Sequence, residues 1–138
     1  MFSIKPVYAH CDLFCGVYDP AQARIEAQAV ANSVHKYHES DDDVFRARAI
    51  AIKEERAQLV KEHLWVLWTD YFKPPHVEEF PELHDLIWRA TKAAGDAKKS
   101  MDESVAQDLI KLVDEVGAIF AKTKPGYDYD AVVKNLSV

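Results

Sequence analysis

Residues 43–75, DVFRARAIAIKEERAQLVKEHLWVLWTDYFKPP, decide the fold class of this chain. Their spacing predicts one long helix over about 43–72, with one side traced at intervals of three or four residues. That side comprises Phe45, Ala49, Ile52, Arg56, Leu59, His63, Val66 and Asp70. Lys73-Pro74-Pro75 ends the helix, because proline lacks a backbone N–H and the residue before it disfavours helical geometry.

Two further helices flank this segment. Asp19-Pro20 is a start signal and predicts a helix over about 20–38. Its helical spacing is carried by Ile25, Ala29, Val30, Val34 and Tyr37. Pro81 opens another helix that fades near Gly95 or Lys99. Its apolar positions are Leu83, Leu86, Ile87 and Ala90.

The last predicted helix follows Ser100-Met101-Asp102-Glu103, which fits a capping box, and stops before Pro125-Gly126. Its apolar positions are Val105, Leu109, Leu112, Val116, Ile119 and Phe120. No β-alternation of useful length occurs. A chain of 138 residues with 49% hydrophobic content fits a single core. We therefore predict an all-α, antiparallel up-down four-helix bundle, with residues 10–138 as one domain.

Charge and composition limit the partners of this domain. The formal net charge of −6 argues against nucleic acid and anionic membranes. No apolar run approaches the roughly 20 residues that span a bilayer. Residues 1–9, MFSIKPVYA, are interrupted by Lys5 and Pro6, so they do not resemble a secretory signal. Composition leaves two interpretations of these residues open, a short pro-segment that a dedicated protease trims and a disordered start, and the expected location is the cytoplasm.

The chemistry is concentrated in HCDLFCGVYDP, residues 10–20, which holds both cysteines. The two thiols are too close for a disulfide to add much stability, and CxxxC is not the CxxC of redox sites. The residues alone leave metal ligation, a labile disulfide and incidental thiols open. If residues 1–9 are removed, His10 and Cys11 offer an amine, an imidazole, an amide nitrogen and a thiolate, with Cys15 adding a second thiolate. Gly16 would let the chain turn back tightly.

HCDLFCGVYDP resembles the metal hook of nickel superoxide dismutases, HCxxPCGxYxP. The similarity continues in DPAQARIEA, in IKEERAQL and in VLWTDYFKPPHVEEFPELHDLI, so it covers roughly residues 10–95 in register. The resemblance implies a four-helix bundle assembled as a homohexamer, with an N-terminal hook at residues 10–18 exposed by a maturation protease. It also implies a nickel ion that cycles between Ni(II) and Ni(III) while superoxide becomes oxygen and hydrogen peroxide.

The resemblance also assigns roles to particular residues. The nickel ligands fall on His10, Cys11 and Cys15. Tyr18 matches the tyrosine that restricts anion access, and Glu26 and Arg56 match the pair that orients the ligand imidazole. Two more residues, Tyr71 and Lys73, fall in the family segment near the hook.

Three features depart from the family pattern. Phe14 stands where the family has proline, the leader is short, and the chain past Lys124 is longer than usual. Two alternatives follow: a non-enzymatic metal-binding or redox-sensing bundle that keeps its leader, or the same chemistry with copper. Trp65, Trp68 and Trp88 are interpreted as core or subunit interface.

Overall fold

The structure is a computed structural model that describes residues 16–136. Its helices are α1 (Ala21–Glu39), α2 (Asp43–Val66), α3 (Pro74–Glu79), α4 (Leu83–Lys99), α5 (Glu103–Thr123) and α6 (Tyr129–Leu136). A π-helical turn, Leu67–Tyr71, continues α2. Within this described range there is no strand. None of its helices has the length and hydropathy needed to cross a bilayer.

The four long helices form an antiparallel ring in the order α1, α2, α4, α5. Three contacts show that neighbouring helices in this ring run in opposite directions. Glu26 near the start of α1 meets Arg56 in the second half of α2. The Lys53 ammonium reaches the Lys98 carbonyl at the end of α4, and Arg24 pairs with Asp114 on α5. The predicted all-α bundle is confirmed. We call the end of the bundle that holds Tyr18 and Tyr71 the hook end.

The side of α2 that the sequence spacing traced is not its buried side. Phe45 is 38% exposed and Ile52 is 42% exposed. The helix instead buries a side rotated from the predicted one: Ala49, Lys53, Ala57, Val60 and Leu64. Large apolar residues occur all around α2, so their spacing does not single out one face. Small alanines, which carry little hydrophobic signal, permit its close approach to α1 and α4.

Lys53 is the one charged group in the centre of that buried side. It is 1% exposed, and its ammonium donates to the carbonyls of Lys98 at 2.9 Å and Ser100 at 2.7 Å. These carbonyls lie at the C-terminal end of α4, where a cation is favoured by the helix dipole. Burial still lowers the pKa of Lys53, because desolvation disfavours the charged form.

The predictions for α4 and α5 were closer. Leu83, Leu86, Ile87 and Ala90 are all buried, as expected. The cap of α5 differs, because Asp102 rather than Ser100 is the N-cap and accepts from the Ser104 amide at 2.8 Å. Two of the three tryptophans lie outside the core, because Trp65 is 43% exposed and Trp88 is 58% exposed. Trp68 packs partly against the core.

Residues beyond α5 are ordered by packing against α1 and α5. Tyr129 is 5% exposed, and its ring lies directly over Gly117 of α5. Its hydroxyl donates to Asp114 at 2.8 Å, and the same carboxylate oxygen accepts from Arg24. Asp128 accepts from the Ala131 amide at 3.0 Å and so caps the start of α6. Nothing in the periodicity of the sequence indicated this docked helix.

The buried Tyr129 hydroxyl predicts a loss of stability at alkaline pH. Burial and the neighbouring Asp114 raise the pKa of Tyr129 far above its ordinary value of 10.0. Above about pH 10 the unfolded chain releases this proton while the folded chain keeps it, so the free energy of unfolding falls by up to about 1.4 kcal/mol per pH unit. Urea titrations between about pH 9 and pH 11 should show a shallower decline for Tyr129→Phe. Equal slopes for the two proteins would contradict this assignment, because their other titrating groups are the same.

Candidate metal centre

The predicted ligands His10, Cys11 and Cys15 lie outside the described residues. Their chemistry fits a late transition metal, because thiolate, imidazole, amine and amide nitrogen are donors that suit nickel. Between residues 16 and 136, no group of three His, Cys, Asp or Glu side chains could hold a metal ion. The structure therefore describes residues that were predicted to lie near the metal centre, and not the predicted ligands themselves.

Gly16 is where the chain leaves the cysteine-containing segment. Its φ is +55°, in the left-handed region that side-chain-bearing residues rarely adopt. The tight turn expected at this glycine stays a prediction, because it involves residues 10–15, which lie outside the described range. Among the described residues no atom lies within 4 Å of a Cβ built here, so the preference for glycine comes from the backbone conformation.

Tyr18 lies half-buried at the hook end, in a row of aromatic rings. Its ring centroid is 5.6 Å from that of Tyr71, and the Tyr71 ring is 4.4 Å from Phe120. Tyr71 also shares a 2.8 Å hydrogen bond with the Thr123 hydroxyl. The π-helical turn contributes to this placement, because it ends at Tyr71 and closes with the Phe72 amide donating to Leu67. The predicted neighbours Tyr18 and Tyr71 are thus brought together.

Glu26 and Arg56 also meet, as predicted. The Arg56 Nη1 atom lies 3.3 and 3.4 Å from the two Glu26 carboxylate oxygens. Glu26 is mostly buried, while Arg56 is partly exposed and also contacts Glu55 at 3.3 Å. Glu26 is six residues along α1 from Pro20, a rise of roughly 9 Å. The ion pair is therefore on the side of the bundle, set back from the hook end.

Lys73 is exposed beside an open groove of about 610 Å³ at the hook end. Its amide donates to His76 Nδ1 at 3.1 Å, which fixes the entry into α3. The groove is lined by Trp68, Phe72, Lys73, Pro74, Val77, Glu78 and His84. Lys73 is thus an exposed cation at the hook end, and its nearness to the metal ligands stays a prediction.

Sequence reasoning predicted Asp19 only as part of a helix start signal, and it missed the contacts that Tyr127 and Lys124 make with Asp19 and Tyr18. Asp19 accepts from the Ala21 amide at 2.8 Å and from the Tyr127 hydroxyl. The Lys124 ammonium lies 3.5 Å from the Tyr18 carbonyl oxygen. Tyr127 and Lys124 are more than a hundred residues away in sequence, so local spacing carries no signal for either contact.

The histidine pair of α1 serves as a tie between helices. His35 contacts Glu39 at 3.3 Å and Glu103 at 3.0 Å, and His38 contacts the Met101 carbonyl at 2.6 Å. The hydrogen bond with Glu103 and the charge of Glu39 raise the pKa of His35. Through these contacts both exposed imidazoles link α1 to the segment at the start of α5.

The helical bundle and the nitrogen and sulfur donors of the N-terminal segment together indicate a metalloprotein. The sequence model of the family described as nickel-containing superoxide dismutase matches residues 5–124. Superoxide dismutase [Ni] of Streptomyces seoulensis is 53% identical over 118 residues, covering 86% of this chain and 90% of that protein. The corresponding protein of Streptomyces coelicolor is 52% identical over the same shares.

Solved structures give the same result. A crystal structure of nickel-containing superoxide dismutase, with nickel ligation corresponding to the oxidised state, superposes with a TM-score of 0.80. It shares 53% sequence identity, over 83% of this chain and 97% of that chain. This chain belongs to the nickel-containing superoxide dismutase family.

Proposed function

We propose that this protein converts superoxide to oxygen and hydrogen peroxide at a nickel ion held by His10, Cys11 and Cys15. The observation that carries the proposal is the family match over residues 5–124, which includes the whole hook HCDLFCGVYDP. The relatives, each described as a nickel superoxide dismutase, favour this activity over a non-enzymatic bundle and over copper.

Bound nickel supplies a one-electron couple, Ni(II)/Ni(III), so that one superoxide is oxidised to oxygen and a second is reduced and takes up two protons. The donor set suits that couple, because anionic thiolates and a deprotonated amide stabilise the higher oxidation state. Tyr18 stands at the hook end, where its half-buried ring would restrict the anions that approach. Lys73 would attract superoxide locally and offset the overall charge of −6.

Glu26 and Arg56 act as positioning residues in this proposal. A carboxylate that accepts from a ligand imidazole fixes its tautomer and orientation. Arg56 holds that carboxylate in place, because it contacts both oxygens. The pair lies roughly 9 Å along α1 from the hook end.

The test of the proposed function is a comparison of two forms. Residues 10–138, prepared with a free His10 amine, and the full chain with residues 1–9 attached are loaded with nickel and assayed for superoxide decay by stopped flow. We expect turnover from the shortened form alone, because an attached leader converts the His10 amine into an amide. Nickel-loaded residues 10–138 without turnover would refute the activity.

Glu26→Ala separates a positioning role from an ordinary ion pair. The partly exposed pair contributes only about 0–1 kcal/mol to stability, whereas loss of an imidazole-orienting carboxylate lowers metal affinity or activity by roughly 10- to 100-fold. The matched control is Asp85→Ala, which breaks the exposed Asp85–Arg89 pair on α4 (2.7 Å) and should leave activity unchanged. Equal activities of the two variants would assign Glu26 a structural role only.

The homohexamer, the leader-removing protease and a cytoplasmic location are also part of this proposal. Exposed apolar side chains support assembly, among them Phe45, Ile50, Ile52, Trp65 and Trp88. Mass photometry of residues 10–138 should give six times the chain mass, and a monomer would refute assembly. Intact mass of the protein from its own cells would show whether the chain starts at His10, and fractionation of those cells would show its location.

A further inference from the structure

We propose that residues 125–136, here called the extension, form a positioning element in which the Tyr127 hydroxyl holds the base of the hook through Asp19. The family model ends at residue 124, so the extension lies beyond the part of the chain that the family match covers. The inference rests on the proposed function, because it assigns the extension to the nickel site at the hook.

A tight turn directs the extension back to the hook end. The Tyr127 amide donates to the Lys124 carbonyl at 3.1 Å, and Gly126 has a φ of +81°. Proline followed by a glycine of positive φ is the pattern of a type II turn. As a result the Tyr127 ring packs edge-on against Phe120, with centroids 5.1 Å apart.

The Tyr127 hydroxyl then donates to the Asp19 carboxylate. The same oxygen of Asp19 accepts from the Ala21 amide, which begins α1. A single carboxylate therefore joins the start of α1 to the extension, one residue after Tyr18. The bond is partly buried, and burial together with Asp19 raises the pKa of Tyr127, so the hydroxyl keeps its donor proton at neutral pH.

Lys124 and the ring row hold Tyr18 itself. The Lys124 ammonium reaches the Tyr18 carbonyl oxygen at 3.5 Å and also lies over the rings of Phe120 and Tyr127. Tyr18 meets Tyr71, Tyr71 meets Phe120, and Phe120 meets Tyr127. Tyr18 and Asp19 are thus held from the bundle on one side and from the extension on the other.

The proposal follows from the position of these contacts. Tyr18 is three residues past Cys15, so whatever fixes Tyr18 and Asp19 fixes where the ligand-bearing segment joins the bundle. It also fixes the ring that would restrict anion entry. A docked helix placed elsewhere would only add stability, whereas this extension contacts Asp19, the residue that follows Tyr18 and precedes the start of α1.

Tyr127→Phe and Tyr129→Phe form a matched pair. Each removes one tyrosine hydroxyl bonded to an aspartate on the bundle, but only Tyr127 contacts Asp19 while Tyr129 contacts Asp114. Hydrogen exchange is measured on the metal-free protein comprising residues 10–138. Tyr127→Phe should speed exchange of the Ala21 amide, which donates to Asp19, roughly tenfold, because a hydrogen bond that holds this charged carboxylate is lost. Tyr129→Phe should leave the exchange of the Ala21 amide unchanged.

A second readout uses the nickel-loaded enzyme with azide as a probe anion. A Tyr18 ring that is held less firmly excludes anions less well, so Tyr127→Phe should lower the azide inhibition constant several-fold, and Tyr129→Phe should not. Equal effects of the two variants in either measurement would overturn the positioning role, as would unchanged exchange in Tyr127→Phe. Absence of dismutation by the unsubstituted enzyme would refute the proposed function but leave the exchange result standing.

Discussion

Replacing both Cys11 and Cys15 with serine is expected to abolish nickel binding and superoxide turnover. A serine hydroxyl is not ionised near neutral pH and is a hard oxygen donor, so it cannot replace a thiolate as a ligand for nickel. We expect less than about one nickel in ten chains after gel filtration and at least a thousandfold loss of turnover. Nickel content by plasma mass spectrometry and superoxide decay by stopped flow are the measurements.

The matched control for this experiment is His35→Ala. It removes a potential nickel ligand from α1, where His35 contacts Glu39 and Glu103, and should leave nickel content and turnover intact. Far-ultraviolet circular dichroism should be unchanged in the double serine variant, because none of the helices that the structure describes contains a cysteine. Full nickel occupancy in the double serine variant would place the metal elsewhere and remove the basis of the proposed chemistry.

Gly117→Ala is the substitution with the largest expected effect on stability. A Cβ at this position would lie within 3.0 Å of three atoms of the Tyr129 ring, closer than real side chains pack. The ring must shift, which costs about 1–3 kcal/mol as overpacking and releases α6 from α5. That cost exceeds the gain of about 1 kcal/mol that alanine normally brings to a helix. Urea unfolding should therefore show a net loss of stability.

Gly95→Ala on α4 provides the opposite result in the same assay. The nearest atoms to its Cβ are the end of the flexible Lys61 side chain at 3.2 and 3.6 Å, which can move at little cost. Here the helix propensity of alanine prevails, and the protein should gain about 0.5–1 kcal/mol. If both variants shift stability in the same direction, the close packing of Tyr129 on Gly117 would not be the determining contact.

How far the fold could be predicted depended on the composition of each helix. In α4 the large aliphatic residues lie on one face, and Leu83, Leu86 and Ile87 were placed correctly. In α2 large apolar residues occupy several faces, and the buried face combines two alanines and the stem of Lys53 with Val60 and Leu64. Hydrophobic spacing does not detect such a face, since alanine contributes little and lysine is normally read as solvated.

The same limit applied to the site. The hook and the Glu26–Arg56 pair were found because the residues carry a recognisable order, and the structure brings that pair together. The contact between Asp19 and Tyr127 was missed, because it joins residues 108 positions apart and depends on a turn at Gly126. Side-chain pairing between distant segments follows from how helices are stacked, which a single sequence does not reveal.

The antiparallel helices place Tyr18, Asp19, Tyr71 and Tyr127 at one end of the molecule, which decides where a label can be attached. The connections at residues 40–42 and 100–102 both lie at the other end. The 19 residues of α1 put that end roughly 28 Å away. A cross-linker for attachment to an electrode surface, or a fluorescent dye, could therefore be placed at Ser40 or Ser100 while the opposite end faces the solution.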